Sequence, residues 1–119
     1  MTVSYSGPDR RRFARLQYAL QVKYRVKTLG GQFQAVEVAD ISVEGMKLFF
    51  TGHLKENDPV ELEVTLAGST MPFKLTASLK WISELPVLGK YPGGVQFTGL
   101  TPDQTARLER FIAKHLPPE

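Results

Sequence analysis

The chain has 119 residues, enough for one compact domain, and a domain of this size buries roughly two-thirds of its unfolded surface on folding. Hydrophobic residues at 42% and charged residues at 23% make a globular mixture with no run near the ~18 apolar residues of a membrane span, and the lack of cysteine excludes disulfides, thiol nucleophiles and cysteine-based metal sites. The formal charge is +3, yet Arg10, Arg11, Arg12 and Arg15 alone supply more than that, so the basicity is local and suits a small anion better than a long nucleic-acid backbone.

Residues 1–9 mix polar side chains with Gly7 and Pro8 and show no period, which predicts a flexible lead-in. No apolar run follows a basic start there, so no secretory signal is read and a cytoplasmic address is expected. Arg10-Arg-Arg-Phe-Ala-Arg15 comes next. Guanidinium is permanently charged and planar, and its fork of donors matches both a phosphate and the O6/N7 edge of guanine. Arg11 and Arg15, four residues apart, can converge on one ligand. A solvated basic run has the same composition.

From Tyr18 to Val26 every second residue is apolar or aromatic, which predicts a half-buried strand. Gly30-Gly31 is a turn signal, and a second strand is expected from about Gln32 to Ala39, with Val36 and Val38 on one face. Asp40-Ile-Ser-Val-Glu-Gly45 then reads as a loop between strands. Its aspartate can accept from the N1 and amino groups of a guanine, its serine can bond a base or phosphate, and its glycine can take positive φ or let the backbone approach closely. The same residues also suit a plain Asx or Ser turn.

Met46, Leu48 and Phe50 resume the alternation, and Glu56-Asn-Asp-Pro59 marks another turn. Val60, Leu62, Val64 and Leu66 alternate with Glu61, Glu63 and Thr65, the clearest strand of the chain. Gly68-Ser69 turns into a fifth strand from Pro72 to Ser83. A Pro/Gly-rich connection from Pro86 to Gly94 leads to a short strand, Val95-Gln-Phe97. The period then changes to that of a helix: Thr101 is a cap, Pro102 suits the first position, Gln104 completes a capping box, and Leu108, Phe111, Ile112 and Leu116 form one apolar stripe. Many short strands followed by one helix predict a closed or nearly closed antiparallel barrel with the helix packed against it.

An Arg-Arg-x-x-x-Arg arm (Arg10, Arg11, Arg15) followed by Asp-x-Ser-x-x-Gly (Asp40, Ser42, Gly45) resembles the PilZ domain family at every signature position, and Gly94-Val-Gln-Phe97 resembles that family's last strand. The resemblance covers nearly the whole chain. It implies a mainly β fold, a six-stranded antiparallel β-barrel with an N-terminal arginine arm and a C-terminal α-helix. Residues 10–119 are then a single PilZ domain with the arm at 10–16, the barrel at 17–98 and the helix at 102–116. It also implies a ligand, the bacterial second messenger cyclic di-GMP. In the family the arginines matching Arg11 and Arg15 grip phosphate and the Hoogsteen edge of guanine, while Asp40, Ser42 and Gly45 match the residues that hold base and backbone from the barrel side. Arg10 occupies the position linked to binding one ligand or an intercalated pair, and an arginine there can stack on a guanine, which favours a pair. The arm has little apolar anchorage beyond Phe13 and Leu16 and is expected to close on the barrel when ligand binds.

Other chemistry-bearing residues are set aside. His53 and His115 have no partner at metal-ligand spacing, Glu61 and Glu63 belong to a solvated strand face, and Trp81, beside Leu79 and Ile82, reads as core although it can stack a base. No nucleophile, base and oxyanion site assemble, so no enzyme, cofactor or metal is expected. The expected partners are the dinucleotide and an unidentified protein effector, without DNA or a membrane span. Two rivals stay open: an interaction adaptor of the same fold that does not bind the dinucleotide, and a barrel that binds single-stranded nucleic acid.

Overall fold

A computed structural model of the chain describes residues 16, 19–52, 54–69 and 71–116. Six strands, β1 (Leu20–Val26), β2 (Gln34–Ile41), β3 (Gly45–Phe50), β4 (Pro59–Leu66), β5 (Phe73–Ile82) and β6 (Tyr91–Thr98), precede a helix, α1 (Pro102–His115). All neighbouring strands are antiparallel, and they close into a barrel in the order β1-β2-β3-β6-β5-β4.

The inside of the barrel follows from period-2 alternation. Val60, Leu62, Val64 and Leu66 of β4 are buried while the residues between them are only half-buried. Leu20, Val22 and Tyr24 do the same for β1, Met46, Leu48 and Phe50 for β3, and Leu75, Ala77 and Leu79 for β5. The rings of Tyr24 and Phe50 meet edge to face, with centroids 5.0 Å apart and planes at 79°, within the favoured range for a T-shaped pair. On the outer surface, Glu61 accepts from Arg25 Nε at 2.7 Å.

The helix begins as its sequence dictates. Thr101 Oγ1 accepts from the Gln104 amide at 3.1 Å, and the Gln104 side chain accepts in return from the Thr101 amide, with Pro102 in the first turn. Its apolar stripe is buried in the same core, through Leu108, Phe111 and, at the C-cap, Leu116. No described helix is long and apolar enough to cross a membrane.

The connection before β6 departs from expectation. Pro92, Gly93 and Gly94 are not in a loop but pair with Phe49, Leu48 and Lys47 of β3, so β6 is longer than Val95-Gln-Phe97. Only Val87 to Lys90 form the turn, closed by reciprocal bonds of 2.7 and 3.1 Å around Leu88 (φ 51°) and Gly89 (φ 80°). Two successive positive φ values favour Asn-Gly, and Leu88 is 67% exposed, so packing gives little in return for the strain. Leu88→Asn is expected to stabilise the domain by about 0.5–1 kcal/mol, read as a higher urea midpoint at unchanged slope.

Candidate functional site

Of the residues singled out from sequence, Arg10, Arg11 and Arg15 lie outside the described residues, as does His53. Asp40, Ser42 and Gly45 are described, and they line one shallow depression of about 290 Å³ on the outer wall of the barrel, together with Lys47, Lys80, Trp81 and Gly94.

Two irregularities of pairing build this surface. On β2, Val38 faces Leu48 but Asp40 faces Lys47, so Ala39 is an extra residue. On β5, Leu79 faces Val95 but Trp81 faces Gly94, so Lys80 is an extra residue. One inserted residue reverses the facing of everything after it, and such bulges recur where a side chain must be re-aimed. Without them Asp40 would continue the inward series of Val38, and Trp81 that of Leu79. With them Ile41 takes the core position, at 2% exposure, and Trp81 is 44% exposed. The expectation that Trp81 belongs to the core is therefore overturned, and the bulge at Lys80 is the reason.

The registers then connect into one row across four strands. Asp40 faces Lys47, Lys47 faces Gly94, and Gly94 faces Trp81. At the usual strand spacing of ~4.8 Å the row spans roughly 14 Å of sheet. An acidic acceptor stands at one end and an indole at the other, with Lys47 between them and its ammonium 5.8 Å from the centre of the indole ring. Gly94 makes room for the ring: a Cβ there would sit 2.8 Å from Trp81 Cε2 and 2.9 Å from Cδ1.

The Asp40 to Gly45 segment is not wholly a loop, as its composition predicts. Asp40 and Ile41 end β2, Gly45 opens β3, and only Ser42, Val43 and Glu44 make the bend. Ser42 donates its amide to the Gly45 carbonyl at 2.9 Å, and its hydroxyl accepts from the Glu44 amide at 3.1 Å. Asp40 Oδ1 accepts from the Ile41 amide at 2.9 Å, which orients the carboxylate. The bend is held to β6 by Phe97, whose amide donates to the Glu44 carbonyl at 2.8 Å. Gly45 does not have a positive φ. Its lack of a side chain serves close approach instead, because a Cβ there would collide with the Val95 carbonyl oxygen and lie 3.2 Å from Gln96 Cα.

Lys47, Lys80 and Gly94 are thus site residues that sequence reasoning did not single out. Alternation does not mark Lys80 or Gly94, because the bulge on β5 is set by pairing with a distant strand, whereas the outward facing of Lys47 is the plain alternation of β3. The adjacent glycines of β6 were the available signal. With opposite facings, a Cβ on Gly93 would meet the Phe50 ring inside at 2.9 Å, while one on Gly94 would meet Trp81 outside.

Comparison with known proteins places this architecture. The chain is similar to a Bacillus subtilis inhibitor of motility (MotI/DgrA), at 16% identity and a TM-score of 0.62 over 82% of this chain and 47% of that one. It is similar to apo MrkH of K. pneumonia, at 18% identity and 0.65 over 82% and 46%. It is also similar to the PilZ domain of YcgR from Escherichia coli, solved with c-di-GMP, at 17% identity and 0.62 over 84% and 83%. The chain therefore spans about half the length of the first two. No curated protein sequence matches it closely enough to be called a relative. The family model described as PilZ domain matches residues 9–114, a span that takes in the arginine arm, the barrel and nearly all of α1, and the chain belongs to the PilZ domain family.

Proposed function

We propose that the chain is a receptor domain for cyclic di-GMP. The observation that carries this reading is the row of Asp40, Lys47, Gly94 and Trp81 on the outer wall beside Ser42 and Gly45, in a chain whose sequence also supplies Arg10, Arg11 and Arg15. Cyclic di-GMP presents two flat guanines and two phosphates. Asp40 accepts from the N1 and amino groups of one guanine, the Trp81 face offers a stacking surface for a base, and Lys47 and Lys80 place positive charge where phosphates pass. The depression of about 290 Å³ lies at the small end of the ~300–1,000 Å³ usual for ligand clefts, so the barrel wall supplies part of the enclosure. Residues 10–15 supply the rest: Arg11 and Arg15 grip phosphate and the guanine Hoogsteen edge, and Arg10 stacks on an exposed guanine so that two ligands bind per chain. Closure of this arm alters the surface offered to a protein partner.

Isothermal titration with cyclic di-GMP tests the reading, with GTP and cyclic di-AMP as controls. Heat confined to cyclic di-GMP, near two ligands per chain, is the expected result. No heat at any temperature would hand the function to the adaptor reading. Trp81 is the only tryptophan, so its emission reports on the site directly. Saturating cyclic di-GMP is expected to change that emission, and Trp81→Ala to weaken binding by about 1–3 kcal/mol, roughly five- to a hundredfold or more. Unchanged emission on saturation would remove Trp81 from the site.

A further inference from the structure

A second basic surface lies apart from this depression. The groove between α1 and the β4–β5 turn, about 350 Å³, is lined by Leu66 to Ser69 on one side and by Arg107, Arg110, Phe111, Lys114 and His115 on the other. None of these described lining residues is acidic.

Among the described residues, the cations of α1 have no acidic partner. Arg110 and Lys114 are exposed, and no described acidic group forms an ion pair with Arg107, Arg110 or Lys114. Asp103 stands one turn before Arg107, the spacing of a favourable helical pair, yet the Arg107 guanidinium instead lies over the Phe73 ring, 4.6 Å from its centre. The helix dipole accounts for Lys114 and His115 in the last turn. It does not account for Arg107 and Arg110 further back, and Arg107–Arg110 and Arg110–Lys114 are like-charge neighbours at i,i+3 and i,i+4 that disfavour the isolated helix. Among the described residues the wall thus carries positive charge that no acidic group neutralises, and that charge is open to a partner outside the fold.

The spacing says what kind. At 1.5 Å rise per residue, Arg107, Arg110 and Lys114 are spread over roughly 10 Å of one helix face in steps of about 4.5 and 6 Å, so together they present a line of positive charge. Carboxylates on alternate residues of an extended chain recur every ~6.7 Å, which suits this wall, and Leu66, Ala67 and Phe111 give the groove an apolar lining for the side chains between them. We infer that the groove between α1 and the β4–β5 turn is a docking site for an extended acidic segment of a partner protein, with acidic and small apolar residues alternating. It shares no lining residue with the depression on β2, β3, β5 and β6 and stands whether or not that depression binds a dinucleotide.

The test uses the full chain labelled with ¹⁵N and an eight-residue peptide alternating Glu and Val, its ends blocked. A Lys-Val peptide, a single-stranded oligonucleotide and vesicles containing anionic lipid are the other arms. The Glu-Val peptide is expected to shift amides of residues 66–69 and 107–115, to weaken as salt rises, and to bind roughly two- to fivefold less tightly for each charge removed in Arg110→Gln and Lys114→Gln. The double variant is expected to melt within a few degrees of the parent, since the like-charge repulsion removed offsets the helix-dipole interaction lost at Lys114. No shift of these amides at millimolar Glu-Val peptide overturns the inference, as does tighter binding of the oligonucleotide or the vesicles at the same residues. A double variant melting several degrees lower would make the cations structural and overturn it too.

Discussion

Gly45→Ala should be the most damaging single-methyl change in the barrel. The added Cβ meets the Val95 carbonyl oxygen and lies 3.1 Å from its carbon and 3.2 Å from Gln96 Cα, all backbone atoms of the neighbouring strand. No side chain can swing away, so β3 and β6 must part where Met46 pairs with Val95 and Gly45 with Gln96. Overpacking of this kind typically costs about 1–3 kcal/mol, and a clash with a ladder belongs at the upper end or beyond. Gly52→Ala is the control, because nothing lies within 4 Å of a Cβ there and its φ is not positive. It should be neutral or stabilise by up to about 1 kcal/mol through the unfolded chain. Urea denaturation of the two variants gives the comparison, and equal midpoints would contradict the steric account. Since Gly45 also anchors the bend that carries Ser42, the same change should weaken cyclic di-GMP binding under conditions where the variant is still folded.

The second large effect belongs to the arm. Arg11→Ala and Arg15→Ala should each remove a charge-assisted contact worth about 1.5–3 kcal/mol, a loss of roughly tenfold to over a hundredfold in affinity. Both positions lie outside the described residues, and the expectation comes from the Arg-Arg-x-x-x-Arg motif and from what guanidinium recognises. The unfolding midpoint of each variant should stay with that of the parent, which separates them from Gly45→Ala. Calorimetric affinity equal to the parent's in either variant would take that arginine out of the site.

Local regularity was legible and long-range pairing was not. The strict alternation of β4 and the Thr101/Gln104 box of α1 need only neighbouring residues to specify them, and both are visible in sequence. Where the site begins, the alternation misleads. Along β5, Leu75, Ala77, Leu79 and Trp81 are in phase, so one sequence read alone puts the indole inside; only the Leu79–Val95 and Trp81–Gly94 pairings show that Lys80 is inserted. Pro92-Gly93-Gly94 carries the composition of a turn, yet its small residues serve the close approach of Phe50 and Trp81 within a strand. The Asp-x-Ser-x-x-Gly motif was visible as chemistry, whereas Trp81, which shares its surface, comes from another strand and carries no local mark.

For the receptor role proposed above, the closed ring has a consequence. Each of the six described strands has a neighbouring strand on both sides, so the barrel presents no strand with one whole edge open for a partner's strand to be zipped on through its main chain. Recognition by that sheet must be written in side chains and in the loops and helix around it. A partner that tells the occupied from the empty state therefore reads a change of charge and shape on the outside of the wall, and a few surface substitutions are enough to re-address the domain to a different listener without disturbing the ladder beneath.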